Sequence, residues 1–152
     1  MKIMAILIAV VALAASSVSL NAGAQDERQY AAGPVTEVDY IQVEYGQFET
    51  YIDWLNSTWK PTMEALKKAG LIIDYKVFRA SPKSLDQPNI FLMITYKNMA
   101  AYAGDNGDKG VELEAVAKKV ICSTECQNKA RVGRNEYRKV LGTELIRELI
   151  LK

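Results

Sequence analysis

The sequence predicts an α+β domain in which four strands and two main helices follow as strand, helix, strand, strand, helix, strand. Three observations carry that expectation. Apolar residues alternate with a period of two in segments spread along the chain. Between the first and second of these, Phe48, Ile52, Leu55, Trp59, Met63 and Leu66 recur at helical spacing. A shorter stripe, Leu113, Val116, Ala117, Val120 and Ile121, separates the third strand from the last.

The chain opens with Lys2, an apolar run from Ile3 to Ala15 and a polar stretch ending in Ala22-Gly23-Ala24. That is the pattern of a secretory signal peptide with an A-x-A cleavage site over residues 1–24. The run falls short of the roughly 20 apolar residues a membrane span needs. No cysteine lies near the cleavage region, which argues against a lipid anchor. The expected product is exported, periplasmic or extracellular, without a stable membrane anchor. Residues 25–35 are polar and small, a flexible lead-in, and residues 36–152 form a single domain of ordinary size.

From Thr36 to Tyr45 the alternation places Asp39, Ile41, Val43 and Tyr45 on one side of a strand. Gly46 ends it, and the long helix runs to Ala69, where Gly70 is suited to the left-handed position that closes a helix. Pro61 removes a backbone donor inside that helix and predicts a kink or break near Thr58 to Lys60. Leu71 to Ala80 and Ile90 to Lys97 are the second and third strands, joined by the turn-rich SPKSLDQPN. Asn98 caps a short helical turn through Tyr102, and AGDNGDKG forms a loop. After the second main helix, residues 128–137 are too polar to assign. Leu145 to Leu151 alternate as a final strand.

That order is the ferredoxin-like βαββαβ arrangement, a four-stranded antiparallel sheet with both helices on one face. Parity assigns Ile41, Val43, Tyr45, Leu71, Ile73, Tyr75, Val77, Ile90, Leu92, Ile94, Tyr96, Leu145, Leu149 and Leu151 to the helix-covered side. The other side, including Tyr40, Ile72, Phe78, Phe91, Met93, Ile146 and Ile150 among charges, is too apolar to be left wholly in water. A second copy packed sheet against sheet, in a two-fold homodimer, is the simplest cover.

Composition excludes several chemistries. The precursor has 19 basic and 18 acidic residues, and Lys2 leaves with the leader, so the mature chain is balanced. No footprint for nucleic acid follows. Histidine is absent, which removes His-ligated haem, histidine-containing zinc sites and nucleophile systems that use imidazole. No metal site and no cofactor are expected. The glycines match no phosphate-binding spacing.

The stretch YIQVEYGQFETYIDWLNSTWKPTMEALKKAGLIIDYKVF, followed by PNIFLMITYKNMAAY, resembles the dimeric α/β-barrel superfamily. Its members include antibiotic-biosynthesis-type monooxygenases, EthD-like and NIPSNAP-like proteins, and haem-handling enzymes. The resemblance covers residues 36–152 and implies a dimeric barrel. It carries no catalytic motif, and the axial histidine common in haem-binding members has no counterpart here.

Several residues are candidates for a ligand pocket between helices and sheet. Trp59 lies on the apolar stripe and reads as core, whereas Trp54 is rotated off it, as a pocket wall or dimer contact is. Tyr45, Tyr75 and Tyr96 share the helix-facing parity, and each buried hydroxyl needs a partner. Arg147 sits between inward-pointing Leu145 and Leu149, either paired with Asp39 or anchoring an anionic ligand. Asp74, Lys76, Glu44 and Glu148 read as ion pairs. Cys122 and Cys126, the two cysteines of the chain, predict a disulfide in an oxidising compartment, one that distorts the helix carrying it.

The expected function is an exported homodimer that binds a small apolar or aromatic molecule. Two alternatives stand beside it: a cofactor-independent monooxygenase or isomerase, and an envelope module that binds another protein through its sheet.

Overall fold

The computed structural model describes residues 28–102 and 108–152; the leader, its cleavage site and most of the predicted AGDNGDKG loop lie outside them. The four strands are β1 (Tyr30–Val43), β2 (Asp74–Arg79), β3 (Ile90–Tyr96) and β4 (Arg138–Leu151). They form one antiparallel sheet in the order β2-β3-β1-β4. That order is the ferredoxin-like one. The helices are α1 (Phe48–Trp54), α2 (Lys60–Lys68), α3 (Met99–Tyr102), α4 (Asp108–Val120) and α5 (Thr124–Arg134).

Two strands begin earlier than the sequence predicts. β1 already includes Tyr30–Pro34, part of the expected flexible lead-in, and β4 starts at Arg138 rather than near Leu145. Both extensions have one cause. β1 and β4 pair along nearly their whole lengths, from Tyr30 opposite Leu151 to Val43 opposite Arg138. The ladder satisfies backbone groups whatever the side-chain pattern.

Between α1 and α2, residues Leu55–Trp59 wind as a π-helical turn. Pro61 stands at the start of α2 and cannot donate to the carbonyl one turn back; the wider winding accommodates this, and the Thr62 hydroxyl donates to the Thr58 carbonyl at 2.8 Å. The predicted break is therefore present as a π turn, displaced toward the N-terminus. It also re-phases the stripe: Tyr51, Leu55, Trp59, Met63 and Leu66 are buried, with Ile52 only partly so.

The end of α2 follows from Gly70. Its φ is 72°, the Gly70 amide donates to Lys67 and the Leu71 amide to Leu66, each at 3.0 Å. These are the paired bonds of a Schellman ending. Gly70→Ala is expected to lower stability by about 1 kcal/mol, because a Cβ strains the left-handed backbone. Urea titration checks it; an unshifted midpoint would mean the helix can end without that conformation.

The core lies between the helices and β1 and β3, around Ile41, Val43, Tyr51, Ile72, Ile90 and Leu92. Several residues assigned to the helix-covered side are not buried. Ile72 is buried and Ile73 exposed, because β2 begins only at Asp74 and the bend before it turns the chain over. Val77 is exposed on the edge strand β2, and Leu149 and Leu151 are exposed on the other edge strand, β4.

The helix pair beyond the sheet is not continuous. α4 ends at Val120, Ser123 caps α5 by accepting the Cys126 amide, and the sulfurs of Cys122 and Cys126 are bonded with a Cα separation of 5.9 Å. The disulfide thus joins the linker to the first turn of α5.

Candidate functional site

A cleft of about 850 Å³ opens between the sheet and the helices. Its apolar wall is made by Trp59, Met63 and Leu66 with Leu92 of β3, while α4 lends Leu113 and Ala117. Its charged wall is made by Arg131 and Arg134 on α5 and Arg138 at the start of β4. Trp54 borders both this cleft and a second cavity of about 440 Å³ lined by the disulfide and Tyr137.

Two irregularities aim these side chains. The π turn begins immediately after Trp54 and turns Trp59 inward from the next turn. On β4, a bulge lies where Tyr40 is opposite Gly142 but Ile41 is opposite Val140. A regular ladder would set Leu141 opposite Ile41 and Lys139 opposite Val43. The extra residue instead brings Val140 and Arg138 to the helix-covered face. Lys139 turns to the other face and pairs with Glu44 at 3.2 Å.

The aromatic and cationic groups form one layered cluster. Trp54 stacks on Tyr51, with ring centroids 5.4 Å apart and planes inclined by 22°. The Arg134 guanidinium lies 4.3 Å from the Trp54 ring, and that of Arg138 is 5.7 Å from Trp54 and 5.8 Å from Tyr51. Each contact attracts the cation through the ring quadrupole. Arg138 is buried, and among the described residues neither it nor Arg134 forms an ion pair.

The cleft's acids are engaged elsewhere. Asp39 accepts the Thr143 hydroxyl at 2.5 Å, and Glu114 pairs with Lys118 at 2.9 Å and accepts Thr124 at 2.8 Å. Burial, and next the neighbouring charge of Arg138, hold Arg134 below the ordinary guanidinium value. Burial likewise pushes the Tyr51 hydroxyl up to about 12, although the charge and the approach of Arg138 pull the other way. Tyr51 lies beneath the cleft as a fully protonated group at neutral pH.

Of the five pocket residues expected from the sequence, the structure brings only Trp54 to the cleft. Tyr45 is fully exposed in the turn after β1, because the strand ends two residues before it. Tyr75 donates its hydroxyl to Glu64 and sets its ring edge-on to Trp59 at 5.3 Å. Tyr96 is buried near the far end of β3, edge-on to Tyr102 at 5.2 Å. Arg147 keeps the expected parity but stands exposed on β4, opposite Val35, and its expected mate Asp39 is bonded to Thr143. The charges read as ion pairs behave so in part: Asp74 binds Lys67 at 3.2 Å and Lys76 at 3.7 Å.

The residues missed were Tyr51, Arg134 and Arg138. Tyr51 had a signal, since it lies three residues after Phe48 and four before Leu55, which is stripe spacing. Arg134 also lies three residues after Arg131, one face of a helix, in the stretch too polar to assign. Arg138 had none, because its direction depends on the bulge.

The chain matches no protein-family model and no curated protein. Among solved structures it is similar to HapK from Hahella chejuensis, at 14% identity over 75% of this chain and 91% of that one, with a TM-score of 0.50. It is also similar to protein SO0527 from Shewanella oneidensis, at 16% identity over 80% and 98% of the two chains, TM-score 0.49. A dimeric ferredoxin-like protein from an uncultured marine organism is 15% identical over 80% and 98%, TM-score 0.48. The likeness to HapK shows the fold.

Proposed function

We propose that this ferredoxin-like chain is an exported homodimer that binds a small apolar or aromatic molecule between its helices and its sheet. The observation that carries this reading is the cleft itself. Both tryptophans of the chain border it, beside an aliphatic wall and a few polar groups. That composition suits a binding site for a flat apolar molecule.

Export rests on the leader pattern of residues 1–24. Dimerisation rests on the uncovered face of the sheet, where Phe78, Ile146 and Ile150 are each about half exposed. Tyr40 and Phe91 lie edge to face between them. A two-fold axis along the strands would lay β2 of one copy over β4 of the other and set Lys76 opposite Glu144. The register places these two residues at opposite ends of one row, through Met93 and Val38.

Native mass spectrometry of the protein recovered from an exported preparation tests all three parts. The expected result is a dimer beginning at Gln25 and carrying extra mass that is lost on unfolding. Phe91→Glu, which places a charge at the centre of the face, is expected to give monomers. An uncleaved chain would overturn export, a wild-type monomer would overturn the dimer, and failure to take up any added apolar molecule would overturn the pocket.

A further inference from the structure

We infer that the cleft is built for an anion: a planar apolar molecule that carries one carboxylate-like group, held by Arg134 and Arg138 with its ring system against the wall formed by Trp59, Met63 and Leu66. This rests on the pocket reading above and narrows it to a chemical class.

The argument starts from unmet hydrogen-bonding capacity. Among the described residues, three buried side-chain polar atoms lack a partner: the Tyr51 hydroxyl and the Nε atoms of Arg134 and Arg138. All three belong to the one cluster around Trp54. Buried donors without partners are costly and uncommon, and a buried charge without a counter-ion more so. Their concentration in a single place at the edge of a cleft is the donor arrangement that an anion site requires.

Among the described residues no acid lies within ion-pair distance of Arg134 or Arg138. Asp39 and Glu114, the acids at the cleft, are held by Thr143 and by Lys118 with Thr124. Arg131 adds a third cation to the same wall. Placing guanidinia side by side without an acid between them raises the local positive potential. A carboxylate relieves it, because its two oxygens match the guanidinium fork.

The planar apolar remainder follows from the rest of the surface. One face of Trp54 is taken by Tyr51 and the ring also carries Arg134, so the indole holds the cation rigidly. Beyond the arginines the wall is aliphatic and aromatic, and the volume of about 850 Å³ is that of a site for a drug-sized molecule rather than for a bare inorganic ion.

A matched pair of probes tests the class: anilinonaphthalene sulfonate, an aromatic anion, and phenylnaphthylamine, the same ring system without the charge. Binding to the purified protein is read by quenching of Trp54 and Trp59 and by probe fluorescence. The anion is expected to bind at least about tenfold more tightly than the neutral probe, as charge-assisted hydrogen bonds imply. Arg134→Gln and Arg138→Met are each expected to weaken the anion about tenfold and the neutral probe by much less, so that the preference for the anion is lost. The urea midpoint of each variant verifies that it is folded.

Equal affinity for the two probes overturns the anion site while the pocket stands. An anion preference that survives when Arg134→Gln and Arg138→Met are combined in one chain overturns it equally, by locating the charge recognition elsewhere. If neither probe binds, the pocket reading fails and this inference fails with it.

Discussion

Trp59→Ala is expected to cost about 3–5 kcal/mol of folding stability, the range for removing a large aromatic from a packed interior. Trp59 is 9% exposed. Its ring meets Tyr75 edge-on at 5.3 Å, and it belongs to one core cluster with buried Leu55, Met63 and Leu66. Against a total stability of about 5–15 kcal/mol for a domain of this size, the loss is a large fraction.

Trp54→Ala provides the contrast. Trp54 is half-buried and stacks on a Tyr51 that other core groups also hold. Its removal is expected to cost about 1–2 kcal/mol, mostly the aromatic and cation contacts, and to release Arg134 from its fixed position. Urea titration of the two variants, with binding of the aromatic anion measured alongside, separates the roles. A smaller stability loss for Trp59→Ala than for Trp54→Ala would mean that the core is centred elsewhere.

Alkaline pH is expected to weaken the fold through Tyr51, by about 2–3 kcal/mol between pH 10 and 12. The ordinary tyrosine value is 10.0, and burial raises this hydroxyl to about 12 in the folded chain. Below pH 10 the hydroxyl is protonated in both states, so its contribution is fully present. Between the two values the unfolded chain releases the proton and the folded chain does not. Stability is then lost as pH rises through that window.

Tyr51→Phe removes the titrating group and should flatten this part of the profile. At neutral pH the same variant is expected to be neutral or to gain about 1 kcal/mol, because the hydroxyl it deletes is sealed without a hydrogen-bond partner. Urea midpoints measured from pH 8 to pH 12 check both statements. An equal alkaline loss in wild type and variant would assign it to another group, such as Tyr75, whose bond to Glu64 raises it to about 12 as well.

These residues also mark how far the sequence could be read. Alternation in the strands and the stripe of the first helix are local properties, set by which residues face water and which do not. They were sufficient for element order, and element order for the ferredoxin-like sheet. The capping roles of Asn98 and Gly70 are local in the same way: the Ala101 amide is bonded to Asn98 at 2.9 Å, and Gly70 has its positive φ. The break before Pro61 followed from one missing donor.

The site was legible only in outline. A pocket between helices and sheet was expected, and a cleft is found there, but its charged wall came from residues that the sequence reading passed over. Parity counts alternate residues and has no way to include an extra one. The bulge near Leu141 exists because β1 and β4, about one hundred residues apart, pair with a one-residue mismatch. That mismatch decides that Arg138 faces the helices and Lys139 does not. Tyr45, Tyr75 and Tyr96 have helix-facing parity, yet a turn, an edge strand and the far end of the sheet place them away from the cleft. Periodicity and missing donors belong to neighbouring residues and are written in their order, whereas the direction of a side chain at a ladder irregularity is settled by which distant strand it pairs with.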